Sequence, residues 1–178
     1  MTHDESGRWC KRIGVNLGAG GHPDCDIFKN SISIATSGLV QGQALYFSKL
    51  MALVVKPYDE CLLWVTQSGV WSSLENFHLF YRLRQSYGER RRLLDAPGHL
   101  FLDYESVDLA TFAHLGILFG WDYYLLGNRL ELSVFASHDG FLDVFTSEDS
   151  NTPRLEEIAG DVSKSGVPFR RFRDGQKQ

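Results

Sequence analysis

The amino-acid sequence predicts an α+β domain, in which an antiparallel sheet with a C-terminal β-meander packs against two or three helices. Two segments, 73–87 and 107–119, have helical spacing and start signals. Three β-type runs between positions 121 and 146 are joined by turn residues. The composition, with 43% hydrophobic and 22% charged residues in a chain of 178, is typical of one globular domain.

Both helical segments begin at a serine that is expected to act as a cap. Ser72 and Glu75 have the spacing of a capping box, and apolar residues then recur at intervals of three and four until Gly88. Ser106 is expected to cap the second helix, which is apolar on most sides and is therefore predicted to be buried. The remaining predicted elements of the domain, residues 31–150, are strands at 31–40, 60–66 and 99–103 and a helix at 43–54 that Pro57 ends.

The meander is predicted from its turns. Gly127-Asn128 and Asp139-Gly140 both favour the tight turns whose twist matches paired strands.

The segments on either side of the domain are expected to be less ordered. Residues 1–30 are predicted to form a glycine-rich loop with at most one short strand at 12–17, and residues 151–178 a polar, mobile tail with a short helix at 154–160.

The composition also limits the classes of function that we expect for this chain. Lys plus Arg is 18 and Asp plus Glu is 22, so the net charge of −4 disfavours a general nucleic-acid binder. The three cysteines lack zinc spacing and are predicted to be free thiols in a reducing compartment. The glycines at 14–21 match no nucleotide-binding motif, and we predict no cofactor and no metal. With no secretory signal and no apolar run of about 20 residues, a cytoplasmic protein without a membrane segment is expected.

One group of residues in the sequence is a candidate site for acid-base catalysis. His138 and Asp139 lie in the predicted hairpin turn, and Asp103 is a second carboxylate that the fold could bring near them. An imidazole whose tautomer a carboxylate holds can act as a general base. Adjacent residues of a tight turn point apart, however, so a structural or rim role for His138 and Asp139 is the favoured interpretation.

A group of arginines, Arg82, Arg84 and 90–92, is interleaved with Tyr81 and Tyr87. Guanidinium groups bind phosphates and carboxylates and stack on rings, so an anion or nucleic-acid site through Arg82–Arg92 is one hypothesis. The alternative, a solvated helix end, is more usual. The predicted binding residues are Trp71, His78, Tyr81, Arg82, Arg84, Arg91, His138 and Asp139.

Several other aromatic and histidine residues have ordinary structural explanations. Trp71 and His78 could orient a ligand, but Trp71 and Phe77 could equally form a hydrophobic staple across the helix start. His99 and His114 are predicted to be hydrogen-bonded structural histidines.

A set of short signatures between Trp64 and Thr146 resembles a group of uncharacterised bacterial proteins. The segments that carry this resemblance are WSSLENFHLFYRLR from Trp71, APGHLF from Ala96, DLATF from Asp108, FGWD from Phe119 and SHDG from Ser137. In size, acidity and layout the chain is also similar in type to the immunity proteins that neutralise bacterial toxins.

The main hypothesis is accordingly a protein-binding module with a toxin or effector as partner. It is favoured because aromatic residues make up 13% of the chain and anchor interfaces together with arginine. The alternatives are a small hydrolase or nuclease acting on a phosphate-bearing substrate and an oligomer-forming accessory protein.

Overall fold

The computed structural model describes residues 1–24, 30–68 and 74–173. The described residues form helices that pack against one antiparallel sheet, which confirms the α+β class. None of these described helices has the length and hydrophobicity that crossing a bilayer requires. In chain order the elements are α1 (His3–Arg12), β1 (Asn30–Ala35), α2 (Gln41–Val54), β2 (Glu60–Gln67), α3 (Leu74–Ser86), β3 (Gly98–Leu102), α4 (Ser106–Phe119), β4 (Asp122–Gly127), β5 (Ser133–Ser137), β6 (Phe141–Thr146), α5 (Thr152–Lys164) and β7 (Phe169–Arg173).

The seven strands form one sheet in the order β3-β2-β4-β5-β6-β1-β7, and each neighbouring pair is antiparallel. The predicted meander is confirmed as β4-β5-β6. Strand β1 lies between β6 and β7, where Ile32 is opposite Val144 on one side and Arg171 on the other. Strand β7 therefore forms one edge of the sheet, whereas the Met1 ammonium donates to the carbonyl oxygen of Gly98 at 2.6 Å in β3, at the opposite edge.

The main core lies between one face of this sheet and the helices α2 to α5. Its centre includes Phe47, Leu63, Phe112 and Val134, all almost fully buried. The loop before α2 lies beside the C-terminal end of α4, and the two helices pack along their lengths, so they run antiparallel.

The N-terminal segment is more ordered than its glycines indicate. Residues 3–12 form α1. The helix begins with a capping box, in which the side chains of Thr2 and Glu5 each accept a hydrogen bond from the other residue's backbone N–H. The predicted strand at 12–17 is absent from this described segment. Trp9 and Cys10 of α1 are buried against Trp64 on the second face of the sheet. The prediction failed because most of the glycines follow the helix, and because α1 is stabilised by a sheet face that lies far along the chain.

The C-terminal segment is also structured where a mobile tail was expected. The predicted helix exists and is longer, as α5, with Leu155, Ile158, Ala159 and Val162 buried in the main core. Residues 169–173 add β7 to β1. This strand could not be read from its own basic sequence because its hydrogen-bond partner is β1, well over 100 residues earlier.

Two local predictions need correction. The turn between β4 and β5 is not a two-residue Gly-Asn turn, because residues 128–132 form a longer loop in which Leu130 has φ 51°. The side-chain oxygen of Asn128 instead accepts a hydrogen bond from the backbone N–H of Asp59 at 3.0 Å. Ser106 is the first residue of α4 rather than its cap, and the preceding Glu105 makes no side-chain capping bond.

Candidate functional site

Arg84, a predicted binding residue, is 1% exposed. Its guanidinium donates to the carbonyl oxygen of Ala96, and to that of Arg91 at 3.3 Å. These bonds attach the segment before β3 to the end of α3. Because the charge is turned inward onto backbone oxygens, we assign Arg84 a structural role.

The other described candidates of the arginine group lie at the surface and are occupied to different degrees. Arg91 donates to both carboxylate oxygens of Glu89, at 2.9 and 2.6 Å, and this pairing lowers the pKa of Glu89 to about 2. The Tyr81 hydroxyl accepts a hydrogen bond from the Leu93 N–H at 3.0 Å. Arg82 is exposed and forms no ion pair with the residues that the structure describes. These contacts do not assemble a convergent anion site.

Trp71 lies outside the described residues. His78 belongs to α3, but the structure does not describe its side chain. Both therefore stay predictions. The same holds for the capping role of Ser72, which also lies outside the described residues.

His138 forms a carboxylate–imidazole pair, but with a residue that the sequence did not single out. The Nδ1 atom of His138 is 2.8 Å from the Oδ1 of Asp122, which also accepts the backbone N–H of His138 at 2.6 Å. The Nε2 atom is 3.4 Å from the Oδ1 of Asp139. The hydrogen bond to Asp122 raises the pKa of His138 above its usual value. Asp122 thus fixes the orientation of the ring through Nδ1 and leaves Nε2 on the side of Asp139.

His138 and Asp139 line a cavity of about 240 Å³, where the hairpin meets the loop before α2 and the end of α4. The hydroxyl residues Thr36, Ser37 and Ser137 lie in its wall, and its lining contains no arginine or lysine. Asp103 is not part of it. Leu102 is opposite Glu60 in the sheet whereas Asp122 is opposite Gln67, so about 20 Å of strand separates Asp103 from the His138 pair. The predicted combination of Asp103 with His138 does not converge.

A larger candidate surface lies on the outer side of α2 and α4. Leu53 is 61% exposed there and Val107 76%, and Leu45 is also exposed. Together with the adjoining backbone they form an apolar groove of about 300 Å³. We call this surface the α2–α4 groove; its lining residues are Leu45, Lys49, Ala52, Leu53, Ser106, Val107, Ala110, Thr111 and His114.

The sequence did carry a signal for this groove. Helix α4 is apolar on most sides and was predicted to be buried, and α2 has Lys49 as its sole charged residue. The sheet covers one side of each helix, but the outward side stays exposed. A helix that is apolar all round is usually covered on every side. The exposed side therefore indicates a surface that another molecule covers.

His114 differs from its prediction as a hydrogen-bonded histidine. Its Nε2 atom is buried and has no hydrogen-bond partner among the described residues, and burial lowers the pKa of His114. His99 packs among rings instead, with centroids 4.5 Å from Phe101 and 4.6 Å from Phe112.

Nucleophile and metal chemistry find little support among the described residues. The thiols of Cys10 and Cys61 are buried, and burial raises the pKa of Cys10 to about 12, so its thiolate is strongly disfavoured. No group of three or more histidine, cysteine or acidic side chains suited to a metal ion occurs within the described ranges.

No protein-family model, curated protein or solved structure matches this chain.

Proposed function

We propose that this chain is a protein-binding module of the inhibitor type, which neutralises a toxin or effector by docking on it through the α2–α4 groove. The observation that carries the proposal is the exposure of Leu53 and Val107 beside Leu45 on two helices whose outer side is almost uncharged. Isolated exposed apolar residues are ordinary, whereas contiguous patches mark interaction sites.

Burial of the exposed apolar surface would stabilise such a complex. A fully exposed Leu or Val side chain contributes about 1.5–3 kcal/mol when it is buried, and each of these partly exposed side chains contributes a share of that energy. Three such side chains at the centre of a contact are enough to act as its anchors, since a few residues supply most of the affinity of an interface. The neighbouring residues then serve mainly to exclude water.

The test begins with isolation of a stoichiometric partner from the native host and its identification by mass spectrometry. The partner is then purified separately and titrated with the chain. We expect an equimolar complex that Leu53→Asp weakens at least about tenfold, because the substitution removes apolar contact and buries a charge. In cells, the chain should suppress the partner's toxicity, and Leu53→Asp should not.

Leu79→Asp is a matched control, because Leu79 lies on α3 and is 60% exposed, against 61% for Leu53. It should bind the partner like the wild type. Equal weakening by both substitutions, no effect of Leu53→Asp, or failure to recover any stoichiometric partner would contradict the proposal.

A second candidate, an enzyme of the hydrolase type, is favoured by the Asp122–His138 pair in its hydroxyl-lined cavity. It ranks lower because the described lining of the cavity contains no lysine or arginine to hold a phosphate. Turnover of a phosphodiester such as bis-p-nitrophenyl phosphate, lost in His138→Gln but kept in Leu53→Asp, would favour this enzyme over the docking module.

A further inference from the structure

The α2–α4 groove has a shape that suits a third helix packed against α2 and α4. The small side chains of Ala52 and Ala110 are nearly buried and form its floor, which allows a backbone to approach closely. Leu53 and Val107 stand exposed above this floor. Leu45 and Leu53 are eight positions apart, which is about 12 Å along α2 and corresponds to roughly two helical turns of a partner. Ridges of one helix pack into such grooves of another.

One charged group at the groove is left without a partner. The Lys49 ammonium is exposed and forms no ion pair or hydrogen bond with the part of the chain that the structure describes. Covering the groove with an apolar surface alone would bury Lys49 unpaired, which is strongly unfavourable. A carboxylate of the occupant opposite Lys49 removes this cost.

Asp108, the acidic residue of α4, does not fill this role. Its carboxylate interacts with the Tyr87 hydroxyl, and burial together with this hydrogen bond raises the pKa of Tyr87 to about 12. Asp108 thus faces the α3 side of α4, and Lys49 is the only lysine, arginine or carboxylate among the described residues that line the groove.

We propose that the groove binds an amphipathic α-helix of a partner protein, with apolar residues at i, i+3 or i+4, and i+7 and a carboxylate that pairs with Lys49. This inference rests on the proposed docking function and specifies its partner. The carboxylate belongs on the flank of the helix that faces α2, because Lys49 lies on α2. Helices held in this way are a recurring mode of peptide recognition.

A second copy of this chain fits the groove less well. A twofold contact centred on the groove would bring Lys49 towards Lys49 of the other copy, and facing like charges oppose association. A nucleic acid fits poorly as well, because the groove offers one cation and an apolar lining.

The experiment uses the full chain and a displayed library of helices of about 14 residues, roughly 20 Å long, on one fixed scaffold. Wild type and Lys49→Glu are each used for selection. We expect the wild type to enrich helices with the apolar spacing and one acidic position, and Lys49→Glu to enrich a basic residue at that position. A selected acidic helix should bind Lys49→Glu about tenfold more weakly than the wild type.

Lys164→Glu is the control for net charge, since Lys164 lies on α5 and is paired with Asp161 at 2.8 Å. It should select the same helices as the wild type, and Leu53→Asp should lose them. Absence of enriched helices, equal binding of selected helices to Leu53→Asp, or the same charge preference in both selections would overturn the proposal. Because the library replaces the host partner, such a failure is distinguishable from failure of the docking function itself.

Discussion

His99 should make the protein less stable in mild acid. The ring lies on β3 between the rings of Tyr87, Phe101 and Phe112, with centroids 5.3, 4.5 and 4.6 Å away. Burial, with a smaller contribution from the positive charge of Arg84, lowers the pKa of His99 from 6.5 to about 4. The folded protein therefore keeps this ring neutral at a pH where the unfolded chain has already protonated it.

The sign and size of the effect follow from this difference. A depressed histidine pKa means that the unfolded state binds the proton first, so the free energy of unfolding decreases as the pH falls below 6.5. The difference of 6.5 − 4 = 2.5 units corresponds to a limiting loss of about 3 kcal/mol, at about 1.4 kcal/mol per unit. About 2 kcal/mol of this loss is expected at about pH 5, and almost none at about pH 7.5.

Urea unfolding of the wild type and His99→Phe, at about pH 5 and about pH 7.5, measures this contribution. Phenylalanine keeps the ring contacts but cannot bind a proton. The loss of stability between the two pH values should be smaller by about 2 kcal/mol in His99→Phe, and the other titrating groups cancel because both proteins contain them. An equal loss in both proteins would refute this explanation.

Two further predictions concern packing and the His138 pair. Gly116→Ala should lower the free energy of unfolding by about 1–3 kcal/mol in urea titrations, because a Cβ atom there would lie 2.5 Å from a ring carbon of Tyr123. Gly42→Ala, with nothing within 4 Å, should instead be neutral or stabilising. Asp122→Asn should lower the pKa of His138 in an NMR titration, since the Asp122 hydrogen bond is what raises it, and an unchanged value would contradict the pairing. Because the pKa of His138 is raised in the folded state, the stabilisation by this pair is present below pH 6.5 and is lost as the pH rises through the folded value.

The elements predicted best were those whose signals are local. The helix at 107–119 and strand β6 at 141–146 lie close to their predicted bounds, because helical spacing and turn residues act within a few positions. Helix α1 and strand β7 were missed, because each is held by partners distant in the chain. Trp9 needs Trp64 of β2, and β7 needs β1.

For the candidate sites too, local features were predicted from the sequence, and contacts between distant residues were not. The sequence by itself identified His138 and Asp139 as turn residues and α4 as apolar on most sides, since composition and spacing determine both. Only the tertiary structure decided that Asp122 pairs with His138, that Arg84 turns inward, and that one side of α2 and α4 stays uncovered. The physical reason is that burial and pairing depend on which surfaces meet in space, and these meetings join residues that no local pattern relates.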